Sequence, residues 1–179
     1  MEADEKKRAE EKTKLLVFLK KIPLFSDLPP SSIRKVLSIC TKVTIKEGEI
    51  LCKQDECPNA MYILLFGKLA VKIGDSAPVA TIDPVSTIGE MGVFTGEPRT
   101  ATVLAMQGSG LLSLRKLDLD FLMRKDTDFG FKIMSKIIKI LAKRINDDNI
   151  KISHIQKYII SQEEQIMAEE ISMDNEFEK

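Results

Sequence analysis

Cysteine and histidine are scarce in this chain: three cysteines (Cys40, Cys52, Cys57) and one histidine among 179 residues. An odd cysteine count with no second pair excludes a disulfide framework, and one histidine leaves no zinc ligand set, so the thiols read as ordinary and no metal is expected. Also missing is an excess of charge of one sign, because 27 lysines and arginines balance 27 aspartates and glutamates. The overall basic surplus of a nucleic-acid binder is therefore absent, and only a local patch could serve that purpose. No run of about eighteen apolar residues occurs, and Met1 to Lys14 mixes lysine and glutamate without an apolar centre, so neither a membrane span nor a secretion signal is expected. The expectation is a cytoplasmic protein. What is present, 44% hydrophobic and 30% charged residues, is enough for the core of one ordinary soluble domain.

The chain opens with helix formers from Ala3 to Lys20, with Leu15, Leu16 and Leu19 giving one side an apolar face, and this helix stops at Pro23. Ser26-Asp27-Leu28-Pro29-Pro30-Ser31-Ser32 is a turn and capping cluster. Ile33, Val36, Leu37 and Cys40 follow at helical spacing and predict a short second helix. From Val43 to Leu114 the pattern changes to short apolar or β-branched runs broken by turn residues every ~8 to 12 positions, the signature of an all-β barrel or sandwich. The expected strands are 43–45, 49–52, 61–66, 69–73, 79–82, 101–106 and 111–114, with turns marked by Gly48, Gly67, Gly74 and Gly108 or Gly110. Strands flanked by helices make an α+β plan.

From about Phe129 to Glu170 there is no proline and glycine only at Gly130, which predicts one very long helix. Met134, Ile138, Leu141, Ile145, Asp148, Ile152, Ile155, Ile159, Gln162 and Ile166 follow at alternating steps of four and three, a heptad seam that predicts oligomerisation, parallel or antiparallel. Dimers are the commonest oligomer, while isoleucine at both seam positions shifts parallel coils toward trimers or tetramers. Lys132, Lys136, Lys139, Lys143, Arg144, Lys151 and Lys157 make the first part of the helix basic. Beyond Ser161 the sign reverses, with Glu163, Glu164, Glu169, Glu170, Asp174, Glu176 and Glu178. These charges read either as a solvated surface or as a docking tail for a protein partner.

Chemistry concentrates in Ile88-Gly89-Glu90-Met91-Gly92-Val93-Phe94-Thr95-Gly96-Glu97-Pro98-Arg99-Thr100-Ala101. Gly89 and Gly92 let backbone come close to a ligand, and a helical turn after Gly89 would present unpaired N–H groups to an anion. Arg99 offers a planar fork of charged donors to phosphate oxygens. Glu90 suits a sugar hydroxyl, since its own charge repels phosphate. Asp148 stands out separately, because a carboxylate in the centre of an apolar seam needs a partner, either a ligand amino group or a role in fixing helix register.

Placed after a run of short strands, these residues resemble the cyclic-nucleotide-binding domain family, especially the sensor half of the catabolite activator protein type. The resemblance runs from Ile22-Pro23-Leu24-Phe25 to about Asn149 and includes Leu24-Phe25-Ser26-Asp27-Leu28, Glu47-Gly48-Glu49-Ile50 and Met61-Tyr62-Ile63-Leu64 followed by Gly67. It implies a jelly-roll-like antiparallel β-roll over 22–125, preceded by a charged helix (1–21) and followed by a long dimerisation helix (126–170) and an acidic tail (171–179). It further implies that Gly89, Met91 and Gly92 cradle a cyclic phosphate, that Glu90 takes the ribose 2′-hydroxyl, and that Arg99, Thr100 and Ala101 complete the phosphate and ribose site. Val71, Val79 and Ala80 would line the base pocket, with Asp148 and Asn149 supplied by the long helix. Asp55 and Val85 depart from the pattern, standing where the family usually has glycine.

The resulting expectation is a non-enzymatic sensor that binds cyclic AMP or cyclic GMP and signals through its oligomerising helix to a protein effector. Thr100 is compatible with either purine; in the family it resembles a threonine there can favour guanine, while the overall likeness leans slightly toward cyclic AMP. The family's transcription factors carry a helix-turn-helix domain after the dimerisation helix; the thirty or so residues after Asn149 leave no room for one, so DNA binding is not expected. The competing expectation is a ligand-independent interaction module. Against it stand Glu90 and Arg99, read from sequence as the pair least needed for folding alone. No nucleophile–base pair or acidic cluster points to catalysis.

Overall fold

The computed structural model describes the backbone of residues 2–177 and the side chains of residues 10–162. Helix α1 (Glu2–Lys20) leads through a 3-10 turn (Pro23–Phe25) to α2 (Pro30–Ile39), which begins on the proline whose missing N–H the first turn of a helix does not need. Leu19 of α1, Ile22, Leu24 and Phe25 of the connection, and Ile33 and Val36 of α2 are buried, while Leu15 and Leu16 are half-buried and Val17 is exposed. Eight strands follow: β1 (Cys40–Ile45), β2 (Ile50–Cys52), β3 (Ala60–Phe66), β4 (Leu69–Lys72), β5 (Ala80–Ile82), β6 (Ser86–Ile88), β7 (Thr102–Ala105) and β8 (Ser109–Arg115). Helix α3 (Glu90–Thr95) lies between β6 and β7, and α4 (Lys116–Lys125) and α5 (Thr127–Phe177) complete the chain.

The strands form two four-stranded sheets, β1-β8-β3-β6 and β2-β7-β4-β5, with every pairing antiparallel. Cys52, Leu64, Leu69, Ile88, Val103, Ala105 and Leu111 pack together between them, drawing on both sheets. Burying each large aliphatic side chain of this group contributes about 1.5–3 kcal/mol, so the interior holds the two sheets face to face. Within β8, a Cβ on Gly110 would meet the Phe66 ring at 2.2 Å. That glycine is an element of the strand and not a turn.

Two elements escape the sequence pattern. β6 is three residues, Ser-Thr-Ile, too short and polar to signal itself, and it is held by its register on β3 (Tyr62↔Ile88, Ile63↔Thr87, Leu64↔Ser86). α4 occupies the stretch before the predicted long helix and opens with Arg115 Nε donating to Asp118 at 2.6 Å. Asp126 both closes α4, donating its N–H to Leu122 O at 2.9 Å, and starts α5, accepting at Oδ1 from the Phe129 N–H at 3.0 Å. The long helix thus starts at Thr127, two residues ahead of the Phe129 read from the residues and one after the 126 that the resemblance implied.

The chain divides into two compact units, Met1–Lys136 and Ile137–Lys179. In the second, the seam residues Ile138, Ile145, Ile152, Ile155 and Ile159 are each about half exposed or more. Asp148 is exposed and accepts from Lys151 Nζ at 2.9 Å, an i,i+3 pair on the helix surface. Ile166 and the acidic side chains from Glu163 onward, including the tail 171–179, lie outside the described residues. No helix among the described residues is long and apolar enough to cross a membrane.

Candidate functional site

The register of β6 on β3 delivers the chain to Gly89, whose φ of 72° and ψ of 19° are left-handed. The segment then turns directly into α3, so the expected helical turn after Gly89 is present, with the N–H groups of its first turn lacking partners within the helix. Gly96 ends the helix in the same left-handed region (φ 83°), donating its N–H to Gly92 O at 2.8 Å. Gly92 is needed for a different reason: a Cβ there would lie 2.8 Å from Pro58 Cβ and 2.9 Å from Glu97 O. Lys116 Nζ donates to Val93 O at 2.6 Å and ties α3 to the start of α4.

Arg99 reaches back beneath this loop. It is only 6% exposed; its Nη1 donates to Gly89 O at 2.8 Å, and its Nη2 donates to Ala60 O. Its own backbone is fixed as well, with N–H to Glu56 O at 3.0 Å and O accepting from Asp55 N at 2.8 Å. The guanidinium charge is felt inside the roll. Burial pushes the Cys52 thiol and the Tyr62 phenol above their ordinary values, and Arg99 is the strongest opposing influence on both. Glu90, 8% exposed, is the first residue of α3.

This arrangement corrects one expectation. Arg99 is no idle side chain that folding could dispense with: it satisfies two backbone carbonyls, one of them on the very glycine that starts the cassette. A guanidinium carries five N–H donors, so these two bonds do not exhaust it.

The structure brings Gly89, Glu90, Gly92 and Arg99 into one loop-and-helix unit. Met91 and Thr100 are exposed and Ala101 is half-buried. Val71 and Ala80 face each other across β4 and β5, and the Val79 N–H donates to Val71 O at 2.9 Å. Val71 is half-buried, whereas Val79 and Ala80 are exposed. Asp148 and Asn149 belong to the second unit, both exposed on α5. Sequence reasoning missed the contributions of Ala60, through its carbonyl, and Pro58, through its ring; neither carries a side-chain signal of binding. Among the described residues no group of histidine, cysteine or carboxylate side chains is placed to hold a metal ion.

Among the described residues, Asp55 and Val85 are the positive-φ residues other than glycine, at 64° and 72°. Both therefore hold a backbone conformation that glycine adopts without steric cost. For β-branched Val85 this region is a genuine outlier, and such strain costs on the order of 1–3 kcal/mol. Gln54, next to Asp55, accepts at Oε1 from the Gly74 N–H at 2.8 Å and so ties the β4–β5 turn to the end of β2.

A family model described as the cyclic nucleotide-binding domain matches residues 42–126. A cyclic nucleotide-gated potassium channel of Mesorhizobium japonicum is 32% identical over 101 residues, covering 56% of this chain and 28% of the channel. The chain therefore spans less than a third of that relative. Among solved structures, the N-terminal domain of a transcriptional regulator from Streptomyces coelicolor A3(2) superposes with a TM-score of 0.65 at 25% identity, covering 70% of this chain and 93% of that one. The catabolite activator protein of Thermus thermophilus shares the fold with a TM-score of 0.65 at 22% identity, over 75% of this chain and 63% of that one.

Proposed function

We propose that the chain, whose residues 42–126 match the cyclic nucleotide-binding domain model, is a non-enzymatic regulatory sensor: a cyclic mononucleotide binds at the Gly89–Ala101 loop and its occupancy is signalled through α5 to a protein effector. The phosphate lies against the backbone of Gly89, Met91 and Gly92 and on the Arg99 fork, with Thr100 and Ala101 beside it. Glu90 accepts from the ribose 2′-hydroxyl, and Val71, Val79 and Ala80 border the base. The observation that carries this reading is the convergence of left-handed Gly89 with buried Glu90 and buried Arg99 on one loop. Both side chains are held away from water, which is costly for ionisable groups.

Cyclic AMP is the preferred ligand on overall likeness, with Thr100 as the feature favouring cyclic GMP. Signalling requires that the nucleotide bind two positions of the responding element with different affinities. α5 acts in that response as an oligomerising helix, most simply in a homodimer.

One observation favours the ligand-independent module. Arg99 already bonds to the carbonyls of Gly89 and Ala60, so the loop is held without nucleotide.

Isothermal titration with cyclic AMP and, separately, cyclic GMP decides between the two. The control is Glu90→Gln, which removes the ribose acceptor's charge and leaves Arg99 in place. Micromolar or tighter binding that weakens at least tenfold in the variant supports the sensor; no heat with either nucleotide, from chain shown folded by circular dichroism, leaves the interaction module.

A further inference from the structure

A cavity of about 520 Å³ is lined by residues of α1, α2, β1 and β8, and none of them belongs to the 88–101 loop. We infer that it is a second ligand site, which takes a straight-chain aliphatic carboxylate, with the tail against leucines and the head group on Lys12 and Arg34.

Alternation along β8 explains the apolar wall. Leu111 joins the core between the two sheets, so Leu112 points out of the roll, opposite Lys42 of β1. An outward leucine would stand in water, yet Leu112 is 2% exposed because α1 and α2 cover that face. They cover it without closing on it: Leu15, Leu16 and Leu37 are only half-buried and line the cavity together with Leu112. Cys40 shares the outer face of β1 with Lys42, and burial there holds its thiol up to about 12, as expected of a wall that disfavours charge. The volume falls in the range of roughly 300–1,000 Å³ usual for small-molecule sites. Among the described residues lining it there is no aromatic ring to stack on a planar ligand, and the Ser38 hydroxyl is already donated to Lys35 O at 2.7 Å. What the wall offers is contact for an alkyl chain.

Charge selects the head group. The chain as a whole is neutral, but Lys12, Arg34 and Lys42 line this cavity against a single carboxylate, Glu11. Glu11 pairs with Lys42 across the gap between α1 and β1. Among the described residues the side chains of Lys12 and Arg34 have no hydrogen-bond or ion-pair partner. Each stands one turn before a lining leucine of its own helix, Lys12 before Leu16 and Arg34 before Leu37, so cation and leucine share a helix face. Two helices presenting that pairing to one cavity match a ligand with one negative end and an apolar body. A carboxylate can accept from both cations, and the guanidinium fork suits its two oxygens.

Isothermal titration with dodecanoate, kept below its micelle concentration and without nucleotide, tests the site. Sub-millimolar binding is expected, at least tenfold tighter than that of dodecyltrimethylammonium, which carries the same tail and the opposite charge. Lys12→Glu with Arg34→Glu weakens dodecanoate binding at least tenfold. Ser38→Phe, which puts a ring into the cavity and leaves both cations, weakens it as well. All three positions are exposed, and circular dichroism checks that each variant is folded. No heat with dodecanoate from the folded parent chain, equal affinity for the two head groups, or unchanged affinity in either folded variant overturns the proposal. A chain that sediments with phosphatidylglycerol vesicles yet gives no heat with monomeric dodecanoate also overturns it, and assigns the patch to a membrane surface. The cyclic nucleotide reading is judged by its own titration and stands or falls apart from this one.

Discussion

The guanidinium of Arg99 occupies the space that a side chain on residue 89 would fill: a Cβ built on Gly89 would lie 2.0 Å from Nη1. Gly89 is therefore fixed twice over, by its left-handed backbone and by the arginine packed against it. Gly89→Ala is expected to push the guanidinium off its carbonyl and weaken cyclic nucleotide binding at least tenfold. The left-handed alanine alone adds about 1 kcal/mol of strain. Titration beside a urea melt checks both parts, and unchanged affinity would show that the loop tolerates a displaced Arg99.

Removing Arg99 should harm folding as well as binding. Arg99→Ala removes the guanidinium donor from the Ala60 and Gly89 carbonyls, at a cost of about 1–3 kcal/mol for a buried group left unsatisfied, while Gly89 O keeps the Val93 N–H at 3.4 Å. Arg99→Lys keeps the charge and can replace one bond, so its loss is smaller. Ligand-free urea melts of the two variants test the ordering, and equal stability of Arg99→Ala and the parent chain would contradict it.

Val85 and Asp55 are expected to be improvable. Val85→Gly relieves a β-branched residue at φ 72°; against the ~0.5–1 kcal/mol entropic cost of glycine, the net gain is on the order of 1 kcal/mol. Asp55→Gly should gain less, because aspartate tolerates this region better. A rise in the urea midpoint without a change in slope is the expected signature. A fall for Val85→Gly would mean that packing of the half-buried side chain outweighs the strain.

The three thiols should react in a defined order. Burial holds the Cys40 thiol up to about 12, raises Cys52 in the same direction, and leaves Cys57 exposed. At pH 8 one thiol per chain should therefore react promptly with a disulfide reagent, the other two only on unfolding. For Cys40 the folded state holds its proton more tightly than the unfolded state, so its contribution to stability is complete below the ordinary value of 9.0 and is lost as pH rises from there toward 12. Mass spectrometry of pulse-labelled protein reads the order directly.

Asp126 should make the α4–α5 corner sensitive to acid. The bond from Lys35 Nζ at 2.6 Å, followed by the Phe129 N–H, holds its carboxyl below the ordinary carboxylate value. Its support is therefore complete above that value and fades as pH falls through the lowered one. Asp126→Asn should flatten that acid dependence and lower the melting temperature at pH 7. An unaltered acid profile in the variant would assign the effect elsewhere.

Much of this was legible in the residues because apolar alternation and turn glycines act locally. The runs 61–66 and 69–73 correspond to β3 and β4 within a residue or so at each end. β6 was not legible, since its three residues owe their strand geometry to Tyr62, Ile63 and Leu64 on β3. Nor was α4, whose helix pattern is interrupted by charges that pair at its surface. In the candidate site the kinds of chemistry were visible: glycines for backbone approach, a carboxylate and an arginine. The use of Arg99 as a brace for Gly89 and Ala60 was not, because a backbone carbonyl has no signature in sequence. Asp55 and Val85 announced themselves as departures from a glycine pattern, while their positive φ appears only in three dimensions.

Helix α3 is bracketed by two left-handed glycines, Gly89 and Gly96. The sheet register on either side is set by other residues, Ile88 on Tyr62 before it and Thr102 on Lys72 after it. The segment between is a replaceable module: its sequence can drift, or be exchanged for that of a relative, without re-registering a strand, provided Gly92 keeps its fit against Pro58. The turn that presents Glu90 and the first N–H groups of α3 is in this sense set independently of the strand pairings around it.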